Sequence, residues 1–254
     1  MKLATRFSSG NDGLHLHCPT GWEEMTQDQL RYTLFLLSRP TYDETEIRTL
    51  LFFRFTGVSV HKRTADGWLC SVGKRRNRKK FFLHIWMIQS WLSVFDYVFN
   101  SKGAANRLER IGHMNAVDID FHGVKFIEYL TIENYYQAYL ADPDTDECLE
   151  EMAKIMYRKS GRGRRHRFST AELLGTMLWY IHVKEVFRAH FPHLMKPANG
   201  ITIPDMMEVM NSQIRALTDG DITKENVVLN MDVWRAMTEL DAKAREVEEL
   251  KKRK

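Results

Sequence analysis

Histidine, cysteine and carboxylate side chains at short spacing are where chemistry could begin in this chain. His15, His17 and Cys18 are close enough to start a zinc site, but no fourth ligand stands at zinc-site spacing. His182 and Glu185 share one face of a helical pattern, with His190 and His193 downstream. Helical imidazole–carboxylate sites use paired motifs on facing helices, and no second copy exists here. These histidines read as residues of a partly exposed helix, and no metal site is expected.

Nucleophilic and phosphate-binding chemistry finds equally little support. There is no G-x-S-x-G turn. Cys148 sits beside Asp146 and Glu147, whose negative charge disfavours a thiolate nucleophile. A phosphate loop needs closely spaced backbone amides, a lysine and a hydroxyl. The stretch around Gly67 and Lys74 has the wrong spacing, and Arg75 stands where the hydroxyl belongs. Gly161-x-Gly163 lacks a third glycine and follows a helical pattern rather than a strand. The pairs Glu23/Glu24 and Glu150/Glu151 lie near helix starts or on polar faces, where solubility accounts for them. The sequence thus predicts no catalytic residues, no cofactor and no enzymatic activity.

Two basic clusters are the strongest polar signals. One comprises Lys74, Arg75, Arg76, Arg78, Lys79 and Lys80; the other Arg158, Lys159, Arg162, Arg164, Arg165 and Arg167. Clustered cations neutralise phosphates, so both clusters are candidates for nucleic-acid binding. A solvated loop or an acidic protein partner would suit the same residues.

These residues have to be positioned by helices. Thr26 with Gln29, and Ser169 with Glu172, form capping boxes that open helices running to about Ser38 and His190. A helix from near Asp43 ends at Gly57, and others follow from Thr131, across 145–158, and from a Thr202 cap with Pro204 in the first turn. Val58 to Val72 reads as a hairpin about an Asp66-Gly67 turn. Residues 81–99 read as one aromatic helix, in which Trp86, Trp91 and Phe95 form a possible docking stripe. From Gly220 onward a single long helix is expected. Its apolar stripe runs through Val227, Met231, Trp234, Met237, Leu240, Ala244, Val247 and Leu250, at three- or four-residue steps. Such a stripe must cover an apolar surface, in its own domain or in a partner. Trp234, Met237, Leu240 and Val247 are the first protein-contact candidates.

The fold class expected is mainly α: about eight helices, one small hairpin near residues 58–72 and a long C-terminal helix. A flexible lead-in (1–20) precedes a helical subdomain with the hairpin (21–125) and a second helical subdomain (126–254). The 254 residues, 44% hydrophobic and 28% charged with a formal net charge of +4, suit an ordinary globular protein. Three dispersed cysteines, no signal-like N-terminus and polar interruptions in the longest apolar run predict a protein of a reducing cytoplasm, without a membrane span.

Several segments resemble proteins encoded in phage and prophage tail-gene clusters of gut Bacteroidota. They are Trp22-Glu23-Glu24-Met25-Thr26 with Gln29-Leu30, Glu133-Asn134-Tyr135-Tyr136-Gln137-Ala138-Tyr139-Leu140, and Met152-Ala153-Lys154-Ile155-Met156-Tyr157-Arg158. The closest match runs from Gly220-Asp221-Ile222-Thr223-Lys224 to Trp234-Arg235-Ala236-Met237-Thr238-Glu239-Leu240-Asp241-Ala242-Lys243-Ala244. The resemblance implies a viral protein of tail morphogenesis, in the host cytoplasm or carried on the virion. It implies a tail assembly chaperone whose partner is a tape measure or tail tube protein. Length and arginine content leave a structural tail component as an alternative.

Overall fold

The capping boxes organise the local structure as their side chains dictate. A computed structural model describes residues 16–73, 77–100, 102–143, 145–159, 166–195 and 206–252. The described residues contain nine α-helices and two small antiparallel sheets, so the protein is mainly α. The chain divides into two compact units, 1–101 and 102–254. The boundary therefore falls before residues 102–125, which belong with the second unit instead of the first.

In the first unit, α1 (Gln27–Leu37) and α2 (Glu44–Thr56) are opened by Thr26 and Asp43, each in a reciprocal capping box. Gly57 ends α2 at a φ of 68°, a left-handed turn that costs glycine nothing. The expected hairpin is two strands of a three-stranded sheet, β1 (Ser59–Arg63), β2 (Gly67–Val72) and β3 (Lys79–His84), in the order β1-β2-β3. The aromatic helix predicted from residue 81 is corrected accordingly. Its first residues form β3, and the helix proper, α3 (Ile85–Leu92), runs on into a 3-10 segment, Ser93–Phe99. Phe81 and Phe82 are adjacent, so on a strand they point to opposite faces. A Cβ on Gly67 would stand 2.2 Å from the Leu83 carbonyl, which is why β3 approaches only a glycine there. Leu34, Leu51, Phe52, Cys70, Leu83, Trp91 and Phe95 are buried.

The second unit is built around α4 (Phe126–Ala141), α5 (Glu147–Met156) and α6 (Thr170–His190). The first of these starts before the predicted Thr131, where Glu128 accepts from the Lys125 amide at 2.8 Å. A second, unpredicted sheet pairs β4 (Arg110–Ile111) and β5 (Met114–Ala116) with β6 (Tyr157–Lys159). Arg158 and Lys159 thus lie on a strand, and Arg158 pairs with Glu128 at 2.8 Å. Residues 102–125 pack on α6: Trp179 donates to the Ile119 carbonyl at 2.8 Å, and Phe121 meets both Trp179 and Tyr180.

The long C-terminal helix is interrupted. After α7 (Met206–Thr218) come a 3-10 turn, a short α8 (Glu225–Leu229) and α9 (Val233–Lys252). Residues 230–232 leave the helix to bond elsewhere. Phe126 donates to the Met231 carbonyl, Val233 donates to the Val124 carbonyl, and the Asp232 carboxylate accepts from the Gly123 and Trp234 amides at 2.6 and 2.9 Å. Asp232 serves as a cap for α9 and ties its start to a distant turn.

Candidate functional site

The apolar stripe predicted for the terminal helix divides into two parts with different fates. Val233, Ala236, Met237 and Leu240 are buried within the second unit. Farther along α9 the stripe emerges: Val247 is 49% and Leu250 61% exposed. Here α9 and α7 are the walls of an open hollow of about 370 Å³. Leu240, Ala244 and Val247 line one side and Gln213 and Ala216 the other, with Leu194 between; Lys243, Glu248 and Lys251 also line it.

Polar contacts brace this hollow. Asp241 accepts from the amides of His193 and Leu194 at 2.8 and 2.9 Å, and His193 reaches Glu248 at 3.2 Å. These bonds hold Leu194 against α9. Lys243 donates to the Ala216 carbonyl at 2.6 Å and pairs with Asp219, joining the end of α7 to α9. Asp219 is accordingly held below the ordinary carboxylate range, first by its hydrogen bond to Lys243 and then by that charge.

The other face of α7 is also uncovered. A second hollow of about 310 Å³ is lined by Asn211, Ile214, Thr218 and Ile222, among others. Although α7 carries Met206, Met207, Val209, Met210, Ile214 and Leu217, Thr218 is its only buried residue. An amphipathic helix with Met207 64% exposed and its other large apolar residues short of full burial, rich in adaptable methionine, suits a changeable protein contact. What the arrangement can do chemically is bind the apolar stripe of another helix, with charges at its margin.

The remaining contact candidates are redistributed by the fold. Met237, Leu240, Trp91 and Phe95 are buried in this chain's own cores, so they are corrected from partner contacts to packing residues; only the edge of Leu240 reaches the hollow. Trp91 packs on Phe52 with centroids 5.4 Å apart, and Phe95 on Phe55 at 5.9 Å. Trp234 is also committed internally: it donates to the Asp120 carbonyl at 2.6 Å and stacks on His122 at 4.7 Å. Trp86, at 67% exposed, stands on the surface of the first unit. Of the basic candidates, Arg78, Lys79, Lys80 and Arg167 are exposed. Lys74, Arg75, Arg76, Arg162, Arg164 and Arg165 lie outside the described residues, as do His15, Gly161, Gly163 and the Thr202–Pro204 helix start.

The suspected metal residues are not brought together. Glu185 pairs with Arg188 at 2.6 Å, His190 bonds the Val186 carbonyl, and His193 turns to Glu248. Among the described residues no three His, Cys, Asp or Glu side chains are grouped to hold a metal ion. Cys18 is a poor nucleophile, because burial and then the charge of Glu24 push its thiol up to about 11. Burial also pushes the Cys70 thiol up.

One polar cluster escaped sequence reasoning. Glu133 of α4 accepts from the Tyr180 hydroxyl and the Lys184 ammonium of α6 and, at 2.7 Å, from Gln137. Tyr129, buried one turn before Glu133 on α4, feels the same carboxylate. Burial first, and then the Glu133 charge, hold both tyrosine hydroxyls well above their ordinary range. Neither hydroxyl can supply a proton near neutral pH, and Lys184 lies over the rings of Tyr136 and Tyr180 at 5.0 and 5.8 Å. The available signal was a pair of i,i+4 polar couples, Glu133–Gln137 and Tyr180–Lys184, on otherwise apolar helices. The cluster ties two helices together. No helix among the described residues is long and apolar enough to cross a membrane. No protein-family model matches the chain, and no curated protein or solved structure is significantly similar to it.

Proposed function

We propose that this chain is a non-enzymatic protein of phage tail morphogenesis, an assembly chaperone that holds apolar helical segments of a tape measure protein. The observation that carries the reading is the hollow between α7 and α9. The α9 stripe leaves the protein's own core at Leu240 and continues uncovered to Val247 and Leu250, beside a helix that buries only Thr218. An amphipathic segment laid there would extend the α9 seam and remove both sets of side chains from water. The resemblance to tail-cluster proteins supplies the identity of the occupant. A tape measure is long and helical, and its apolar stripes need covering until tube subunits surround it.

The test is co-expression with tape measure fragments. The chain should keep them soluble and co-purify with them. Val247 and Leu250 are exposed, so Val247→Asp/Leu250→Asp leaves the fold intact, as circular dichroism would verify. Each change removes about 1 to 2 kcal/mol of apolar burial from the complex and adds a charge that resists desolvation. Together they should weaken capture by about a hundredfold or more. Equal capture by the well-folded double variant, or fragments that stay insoluble beside the unaltered chain, would refute the reading.

A further inference from the structure

The three-stranded sheet of the first unit has an outer face that the tail-assembly reading does not use. Strand register identifies the residues on it. Leu69 lies opposite Phe82 on one side and Lys62 on the other; Ser71 lies opposite Lys80 and Ser59; Gly67 lies opposite His84. The reverse face carries Cys70 and Leu83, both fully buried, and Trp68, which packs on Phe53 at 5.3 Å. On the outer face Lys62, Leu69, Lys80 and His84 are exposed, while Ser71 is buried and contacts His61 at 2.7 Å.

On that side, β3 and the start of α3 hold a column of rings at two-residue steps. Phe82 and His84 have centroids 4.9 Å apart, and His84 stacks on Trp86 at 6.2 Å with planes 14° apart. His84 and Trp86 are exposed and Phe82 is half-buried. Lys62 and Lys80 lie on this face, whereas Arg63 sits over the Trp68 ring of the reverse face at 5.0 Å; among the described residues from 58 to 86 the five lysines and arginines are balanced by one carboxylate, Asp66. Two exposed rings, His84 at the end of β3 and Trp86 in the first turn of α3, with half-buried Phe82 beside them and Lys62 and Lys80 on the same face, match a polyanion whose repeating unit has a flat face.

We propose that this face binds single-stranded nucleic acid, with bases stacked on Trp86 and Phe82 and phosphates neutralised by Lys62, Lys80 and Arg78. Stacking on open rings is tolerant of sequence, because every base has a π-face. A duplex keeps its bases stacked on one another and offers only phosphates. A membrane surface would meet the same cations, but the imidazole of His84 at the middle of the column is poorly suited to insertion among lipid tails. The sheet and the α7–α9 hollow belong to different units of the chain, so failure of nucleic-acid binding leaves the tail-assembly proposal standing.

The experiment is fluorescence anisotropy of the full chain with a labelled oligothymidylate. The oligonucleotide should bind at 50 mM salt and quench Trp86 emission. With three phosphate contacts, log affinity should fall against log salt with a slope of about −2. Trp86→Ala, at an exposed position, should weaken binding about tenfold without disturbing the fold. Lys62→Glu/Lys80→Glu should weaken it further and flatten the salt slope, and Val247→Asp/Leu250→Asp should change nothing. No binding at 50 mM salt, unchanged affinity in Trp86→Ala, equal affinity for duplex, or binding to phosphatidylserine vesicles in place of the oligonucleotide would each overturn the proposal.

Discussion

Replacing Glu133 by leucine distinguishes a structural cluster from an acid–base centre. The Glu133 and Lys184 side chains are only 12% and 22% exposed, and Tyr180 is fully buried. Leucine deletes the acceptor of three hydrogen bonds. The Tyr180 hydroxyl, left buried without that acceptor, costs about 1 to 3 kcal/mol. Lys184 keeps a route to water through its long stem, and its loss adds no more than about 1 kcal/mol. The expected destabilisation is therefore about 1 to 4 kcal/mol, below the upper range for breaking a fully buried pair. Tyr180→Phe removes the hydroxyl itself, so Glu133→Leu/Tyr180→Phe should be less destabilised than the sum of the two, with a coupling of about 1 to 2 kcal/mol. Hydrogen exchange of α4 and α6 amides reads this locally, without interference from the first unit. Additive effects, or a Glu133→Leu protein as stable as the original, would refute the structural assignment and reopen a chemical role for the cluster.

Two further outcomes follow from the same architecture. Asp232→Ala removes the cap of α9 and the acceptor for Gly123, and should cost about 1 to 2 kcal/mol, with α9's first turn losing exchange protection; Asp232→Asn should recover much of it. Tyr129 and Tyr180 ionise in the folded state only well above their ordinary value. The folded state thus binds more protons than the unfolded chain once pH passes about 10, so stability is whole below that value and falls as pH rises beyond it. In a series of urea titrations, Tyr180→Phe should show a shallower alkaline loss than the unaltered protein, and an identical slope would contradict the assignment.

Local side-chain chemistry was the part of the fold that could be read directly. Thr26 with Gln29 and Ser169 with Glu172 each satisfy their own helix start, so no distant residue is needed to recognise them. Gly57 ends α2 for an equally local reason. The misread elements depend on partners far away in sequence. Residues 79–84 become a strand because β2 offers them an edge, whereas their aromatic content is compatible with a buried helix as well. The second sheet needs β6 to meet β5, and the break at residues 230–232 needs the amide of Gly123 and the carbonyl of Val124. Neither partner leaves a mark on the local pattern.

The candidate site was half legible for a related reason. A helical apolar stripe has the same spacing whether its own domain or another protein covers it. Trp234 and Val247 looked equivalent by that measure. What separates them is that Asp120, His122 and Phe187 surround Trp234, while only the open hollow lies beside Val247. Trp91 and Trp86 divide in the same way: one packs against Phe52, and the other stands on the solvent side of the sheet end. In both units the residue nearer the core element is consumed by folding, and the one a turn or more beyond it stays exposed. Binding surfaces in this chain are therefore to be sought where a stripe outlasts the core it began in, at Val247 and Leu250 on α9 and at Trp86 beyond β3.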